Sequence, residues 1–355
     1  MKTLYALEPL AVGFRLGIAI RSFAYREGWL KTRRLMRPVV SVGNLTVGGT
    51  GKTPLVALVA RALARMGVKP AILTRGYRRR GDVDLIALEP RAPGEKRTAD
   101  PRAVGDEPAL LARLLPEVPI VVSSDRYRAG RLAEDRFGAM AHVLDDGFQH
   151  LTLARDVDIL VLDATRRLSD WALLPAGRQR EPCSALARAD LVVLARTELA
   201  DPTPLESRVR QINPRAQIFH ASTKLCGLVD VITGERHAPA ALKNRLSQTF
   251  WAFCGLGNPG AFFGDLRAWG FTLAGETAFP DHHVYHEAEL SDLESRSQRA
   301  GAATLLTTEK DAMNLPSNAI TRLSIFACAI ELELRDLPAF ERELATRLAA
   351  LPMAD

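Results

Sequence analysis

Cysteine is scarce: four residues in 355, Cys183, Cys226, Cys254 and Cys328, with no Cys-x-x-Cys pair and no histidine at metal-site spacing beside any of them. A disulfide framework or a zinc site is therefore not expected, and the thiols read as buried or indifferent residues of a reducing compartment. Long apolar runs are missing too. The longest charge-free stretch, residues 246–264, holds four glycines together with Asn258 and Pro259, so it reads as strand and turn rather than as a membrane span. A guanine-reading Asn-Lys-x-Asp segment is absent, which leaves a GTPase with little support. Excess charge is absent from most of the chain. The net charge is +6, and residues 1–37 carry all of it, with eight basic and two acidic side chains against 39 of each sign in the remainder. A nucleic-acid binder would spread its positive field over the folded body, so no nucleic-acid partner is expected.

What is present is enough apolar material to fold. With 47% hydrophobic and 25% charged residues, the chain is too rich in core formers for wholesale disorder and too long for one ordinary core. Its opening segment, residues 9–25, resembles a signal peptide or a span until Arg15 and Arg21 interrupt it. The bases that follow, Arg26, Lys31, Arg33 and Arg34, stand where an export signal would have its cleavage site. At helical spacing Glu8, Arg15, Ser22 and Arg26 make a narrow polar stripe, while Leu10, Phe14, Leu16, Ile18 and Ile20 cover the rest. Such a helix suits a monotopic anchor with its cations on anionic lipid, or a helix packed on the domain that follows.

The sharpest local pattern begins with the buried-strand run Val39 to Gly43. Asn44 to Val47 lead into Gly48-Gly49-Thr50-Gly51-Lys52-Thr53-Pro54, and the helical run Leu55 to Met66 follows. Strand, glycine loop, Lys-Thr and helix is the order of a phosphate-binding P-loop. Glycines let backbone N–H groups close on phosphate oxygens, Lys52 neutralises the β and γ phosphates, and Thr53 offers a hydroxyl to Mg²⁺. Threonine stands at position 46, where the first glycine is usual. The loop also resembles the deviant P-loop of the MinD and ParA ATPases, dimeric switches that work at membranes or on DNA, except that Val47 occupies the place of their signature lysine.

Apolar runs at 71–73, 118–122, 141–144, 158–162 and 190–195 alternate with helix-like stretches, which predicts a parallel sheet wound with helices. Ligands of such sheets sit beyond the carboxyl ends of the strands, and that rule selects 74–80, 123–128, 145–150 and Asp163. Arg75, Arg78, Arg79 and Arg80, with Tyr77 among them, form either a solvated loop or a cluster gripping an anionic substrate. Two segments compete for the Mg²⁺-side carboxylate: Asp163 fits the strand periodicity, whereas the adjacent Asp145 and Asp146, followed by Gly147, need a cation or buried donors to coexist. Residues 217–234 read as extended ribbon, and beyond Phe250 a smaller α/β unit follows, with strands near 250–254, 303–307 and 324–333 and a last amphipathic helix from Leu337 to Leu351. Gly255-Leu256-Gly257-Asn258-Pro259-Gly260 satisfies the dinucleotide fingerprint G-x-G-x-x-G after a strand. It is expected to be a tight turn with Pro259 opening a helix, because no second strand ending in an acid appears some 20 residues on.

The P-loop, Thr74-Arg75-Gly76-Tyr77, Val104-Gly105-Asp106-Glu107-Pro108, Asp145-Asp146-Gly147-Phe148-Gln149-His150, Leu174-Pro175-Ala176-Gly177, Arg180-Glu181-Pro182, Phe253 to Pro259, Phe279-Pro280-Asp281-His282-His283 and Leu306 to Asp311 stand in one order nearly end to end. In this the chain closely resembles the tetraacyldisaccharide 4′-kinases, the lipid A kinases of Gram-negative bacteria. The resemblance implies transfer of the γ-phosphate of ATP, with Mg²⁺, to the 4′-hydroxyl of a glycolipid, tetraacyldisaccharide 1-phosphate, at the cytoplasmic face of the inner membrane. It implies Asp106 as catalytic base with His282 as its partner, although Gly105 to Pro108 alone could merely cap a helix. Nucleotide would be held by Gly48, Gly49, Thr50, Gly51, Lys52, Thr53, Pro54 and Arg180, with Glu181 nearby. The metal side would comprise Thr53, Glu107, Asp145 and Asp146, and the acceptor would meet Asn44, Arg75, Tyr77 and Gln149. The expected fold is α/β: a P-loop NTPase-type parallel sheet wound with helices plus a smaller C-terminal α/β domain. Expected boundaries are 1–37 for the membrane-associating helix and basic segment, 38–216 for the kinase core, 217–245 for the ribbon and 246–355 for the second domain. A monomer is expected, and a membrane-associated MinD-like ATPase switch is the rival reading.

Overall fold

The computed structural model describes residues 2–77, 79, 83–92, 94–95, 97–166, 172–240, 249–316 and 323–350. Arg78 and Arg80 of the arginine cluster, the end of the 217–245 ribbon and Leu351 of the C-terminal helix prediction lie outside them. A helix α1 (Lys2–Arg26) precedes β1 (Val39–Gly43), α2 (Lys52–Arg65), β2 (Pro70–Thr74), β3 (Leu85–Leu88), α3 (Pro101–Val104), α4 (Asp106–Leu114), β4 (Ile120–Ser123), α5 (Arg126–Phe137) and β5 (Ala141–Asp145). β6 (Val157–Asp163), β7 (Leu191–Ala195), α6 (Thr203–Ile212), β8 (Gln217–Asp230) and β9 (Arg236–His237) follow. The remainder comprises β10 (Phe250–Cys254), α7 (Pro259–Ala268), β11 (Leu273–Ala278), α8 (Glu287–Arg299), β12 (Thr304–Thr308), α9 (Glu309–Ala312), β13 (Ser324–Leu334) and α10 (Leu337–Ala349).

One continuous sheet runs in the order β3-β4-β2-β5-β1-β6-β7-β8-β13-β12-β10-β11. Its interior strands β1, β2, β4, β5, β6 and β7 are buried throughout, which is why their sequences are unbroken apolar runs rather than alternating ones. All neighbours in that half are parallel except the edge strand β3. β8 is the seam. Its first residues, Gln217–His220, pair in parallel with β7, and Ala221–Asp230 then run antiparallel to β13. Within the stretch read as extended ribbon, residues 217–234, the chain forms a single 14-residue strand with a register shift at Ala329/Ile330 of its partner.

α2 buries Leu55, Val56, Val59, Ala60 and Leu63 against Val40, Val42 and Val143 of the sheet. Phe340 and Leu344 of α10 and Leu332 of β13 belong to that same buried cluster, so the last helix packs on the half of the molecule that contains the P-loop. α1 contrasts with every other long helix. Leu10, Val12, Leu16 and Ile20 are 58–66% exposed, and within residues 10–26 only Ala24 is buried. A helix packed on the domain behind it is therefore not what forms here over most of its length. No described helix is long and apolar enough to cross a membrane.

Candidate active site

The P-loop follows β1 at the centre of the sheet, and the carboxyl ends of β2 and β5 open beside it into a cavity of 810 Å³. Gly48, Gly49, Thr50, Gly51, Lys52, Thr53 and Pro54 line this cavity together with Arg75, Tyr77, Glu107, Asp145, Asp146, Gln149, Arg180 and His282. Gly51 has φ 86°, the left-handed turn that a Cβ would resist, and it serves as N-cap of α2. Asn44 braces the loop from beneath: its Nδ2 donates to Thr50 Oγ1 at 2.7 Å and its Oδ1 accepts from Lys52 Nζ at 3.4 Å. Asn44 is fully buried with its amide committed to the loop, and it is not among the residues that line the cavity. Gln149, which does line the cavity, donates to the Asn44 carbonyl at 2.9 Å.

The adjacent acids at the end of β5 point to different partners. Asp145 is buried and accepts from Thr74 Oγ1 at 2.8 Å. Burial, reinforced by the charges of Glu107 and Asp146, pushes its carboxyl up to about 7. Asp146 takes φ 52°, which turns its carboxylate to Lys52 at 3.3 Å and Arg180 at 2.6 Å. Burial works against its ionisation, but Lys52 and Arg180 outweigh it and hold the group at about 2. Asp163, the competing acid, lies under the sheet end instead: Arg196, Asn258 and the Thr165 hydroxyl satisfy it. Among the described residues no three His, Cys, Asp or Glu side chains form a metal cage. That agrees with a P-loop ion, which takes a hydroxyl, one or two carboxylates, substrate phosphates and water. Thr53 and Asp145, a buried carboxyl crowded by like charge, line the same cavity and are a donor set that fits Mg²⁺.

Opposite the loop, two glycine turns bring distant segments together. Gly76 (φ 66°) and Gly105 (φ 99°) pack backbone to backbone, so close that a Cβ on Gly105 would lie 3.0 Å from the Tyr77 carbonyl. This sets Tyr77 beside Asp106 at the N-terminus of α4. Asp106 is 6% exposed, and its Oδ2 lies 2.7 Å from His282 Nδ1, across 176 residues of sequence. His282 has φ 58° and a ring centroid 5.2 Å from that of Tyr77. Burial would raise the Asp106 carboxyl, yet the His282 hydrogen bond and the charges of Lys310 and His282 bring it below its ordinary value. Arg75 and Tyr77 are exposed at the rim of the cavity.

Two residues that sequence reasoning left without a role stand close to these groups, Lys310 in the cavity wall and Gly257 behind the P-loop. Lys310 Nζ stands 3.2 Å from His282 Nε2, 3.4 Å from Asp281, 3.8 Å from Glu107 and 3.9 Å from Asp106. Burial disfavours its charge, but Glu107, Asp106 and Asp281 overcome that and raise its pKa. Gly257, from the G-x-G-x-x-G segment, touches the P-loop itself: a Cβ there would fall 2.1 Å from Gly48 Cα. Arg166 and Arg178 both donate to the Gly257 carbonyl. Pro259 opens α7, so the segment is a turn into a helix, and it also presses on the phosphate loop.

Fold and site together define a P-loop phosphotransferase, with a carboxylate–imidazole pair whose histidine lines the same cavity as the phosphate loop. A family model described as tetraacyldisaccharide-1-P 4′-kinase matches residues 3–349, and the chain belongs to that family. It is 40% identical over 333 residues to a tetraacyldisaccharide 4′-kinase of Geobacter metallireducens, covering 93% of this chain and 94% of that one. A tetraacyldisaccharide 4′-kinase of an Anaeromyxobacter species is 41% identical over 354 residues, covering 96% and 89%. Among solved structures, LpxK from Aquifex aeolicus in complex with ATP superimposes with a TM-score of 0.72 at 31% identity, over 98% of this chain and 99% of that one. None of these matches favours the MinD-like switch.

Proposed function

We propose that this protein transfers the γ-phosphate of ATP to the 4′-hydroxyl of tetraacyldisaccharide 1-phosphate, giving the 1,4′-bisphosphate of lipid A biosynthesis. The observation that carries the reading is Asp106 held 2.7 Å from His282, which lines the same cavity as the Gly48–Pro54 loop. A sugar hydroxyl is a poor nucleophile, and a phosphoryl transfer is catalysed by positioning and charge. Asp106, ionised near neutral pH, accepts the hydroxyl proton at Oδ1 or Oδ2, while the His282 Nδ1–H fixes the carboxylate and shares the proton's charge. The backbone N–H groups of Gly48 to Thr53 hold the phosphates at the start of α2. Lys52 and Arg180, which pair with Asp146, bring their charges to the phosphate oxygens. Mg²⁺, held by Thr53 and Asp145 with Glu107 behind them, supplies neutralisation of the β and γ oxygens when bound. In this reading Asp146 is the partner of the cations and Asp145 the acid on the metal side. Arg75, Tyr77 and Gln149 face the acceptor from the rim.

The chain works, in this reading, as a peripheral monomer on the cytoplasmic face of the inner membrane. Residues 1–37 form the membrane segment, 38–216 the kinase core, 217–245 the connecting ribbon and 246–355 the second domain. The test uses radiolabelled ATP, Mg²⁺ and tetraacyldisaccharide 1-phosphate in detergent. Labelled lipid is expected, and Asp106→Ala and His282→Ala each lower turnover by about 100-fold or more with nucleotide affinity near that of the parent protein. ATP hydrolysis without labelled lipid overturns the kinase, and full turnover in either variant overturns the dyad.

A further inference from the structure

The dyad joins two residues on separate segments, Asp106 at the first turn of α4 and His282 in the loop after β11, and their register needs a device that fixes one segment against the other. α4 carries an acid pair, Asp106 and Glu107, in its first turn and Arg113 in its last. Asp106 and Arg113 are seven positions apart, so they share a helix face about 10 Å apart along the axis. Two consecutive residues from beyond β12 meet those two ends. Glu309 accepts from Arg113 at 2.5 Å, and Lys310 stands 3.8 Å from Glu107 and 3.9 Å from Asp106. The short helix that presents them is pinned: Thr308 caps it, and Asp311 accepts from Gly255 N–H and from the Tyr285 hydroxyl, both at 2.8 Å. His282 N–H donates in turn to the Gly255 carbonyl at 3.2 Å, so the same anchor reaches the His282 loop.

Lys310 also acts on the imidazole. An ammonium has only protons to offer, so at 3.2 Å Lys310 donates to a bare Nε2, and Nδ1 keeps the proton it gives to Asp106. Hydrogen bonds at both ring nitrogens fix tautomer and ring plane at a residue whose left-handed backbone, φ 58°, has little local preference to hold it.

We propose that Glu309 and Lys310 are a two-point clamp on α4 that sets the register of the Asp106–His282 dyad, with Lys310 the positioning residue that fixes the His282 tautomer. The inference rests on the kinase reading for its kinetic arm and on the ring alone for its spectroscopic arm. In the full-length protein, Lys310→Met is expected to lower kcat about 100-fold while KM for ATP stays within about threefold, and Lys310→Arg to recover about tenfold of the loss. Arg113→Glu is expected to lower kcat about tenfold, and the exchanged pair Arg113→Glu with Glu309→Arg to recover most of it. Histidine-¹⁵N spectra, with the His282 signals assigned by their loss in His282→Gln, are expected to show protonated Nδ1 and bare Nε2 in the parent protein and a tautomer mixture in Lys310→Met. Turnover of Lys310→Met within twofold of the parent, or an unchanged ring signature, overturns the clamp, and failure of the charge exchange to recover turnover overturns its second point. A parent protein that labels no lipid overturns the kinase reading instead, and the ring signature still decides the clamp. Should Lys310→Met fail to fold, Lys310→Arg and the exchanged pair decide.

Discussion

His150 follows the Asp145-Asp146-Gly147-Phe148-Gln149 turn and lines the cavity on its cationic side. Burial first, then Arg126, Arg155 and Arg21, lower its pKa to about 4, while Thr152 Oγ1 lies 2.8 Å from its Nε2. An unfolded chain takes up this proton as pH falls through about 6.5, and the folded chain refuses it until about 4, so the stability His150 confers is complete above 6.5 and lost on acidification between those values. After allowance for the part of the ring that water reaches, the loss from pH 7 to pH 5 is on the order of 1 kcal/mol. His150→Gln is expected to shrink the drop in unfolding free energy from urea titration between those two pH values by that amount, and an equal drop in both proteins would refute the assignment. Among single residues, Lys52 and Thr53 were legible because a phosphate loop is local: loop, lysine and helix are sequence neighbours. The different partners of Asp145 and Asp146 were not, since identical neighbours are told apart only by the φ of 52° that swings Asp146 to Lys52 and Arg180. Arg97 gave no signal at all. It is buried and donates to the carbonyls of Glu89, Ala112, Leu115 and Val118, closing the end of α4, and nothing in its flanking residues marks that environment.

Two glycine loops, one from each side of the β8 seam, meet backbone to backbone. Gly48 is at φ 104°, and its own Cβ would lie 2.9 Å from Gly257 Cα, so neither position has room for a side chain. Since Gly257 is not itself in the phosphate cradle, Gly257→Ala tests whether the second loop governs the first. A methyl forced against backbone costs about 1–3 kcal/mol, absorbed by displacing the P-loop. The expected result is an ATP affinity about tenfold weaker with a melting temperature within a few degrees of the parent. Unchanged affinity, measured by calorimetry, would show the contact to be incidental. That pairing was invisible in sequence for a physical reason: G-x-G after a strand signals a close backbone approach without naming what approaches. The interior strands were legible because burial on both faces leaves continuous apolar runs. β3 and β11 were not, because both lie at sheet edges with half-exposed residues, and β11 carries Gly275 where the Trp251 ring leaves space for nothing larger.

At the scale of the molecule, the exposed apolar flank of α1 and the reactive cavity are linked by Arg21, which donates to the Gln149 carbonyl at 3.2 Å and itself lines the cavity. Trp29 is 74% exposed just beyond the helix, with Lys31, Arg33 and Arg34 following. On the proposed membrane reading this geometry sets the cavity mouth at headgroup depth, so a glycolipid need raise only its sugar, not its acyl chains, to reach Asp106. Each acyl carbon left in the bilayer avoids an exposure cost of about 0.8 kcal/mol. Anchoring and chemistry then separate experimentally. Leu16→Glu with Ile20→Glu puts two charges on the exposed flank, away from the dyad and the P-loop. Binding to anionic vesicles is expected to fall about tenfold or more, and KM for acceptor in vesicles to rise in proportion. With acceptor dispersed in detergent, where no bilayer has to be approached, kcat is expected to match the parent protein. A variant that still sediments with vesicles would refute the anchor, and one that loses turnover in detergent as well would show α1 to serve the active site directly rather than the membrane.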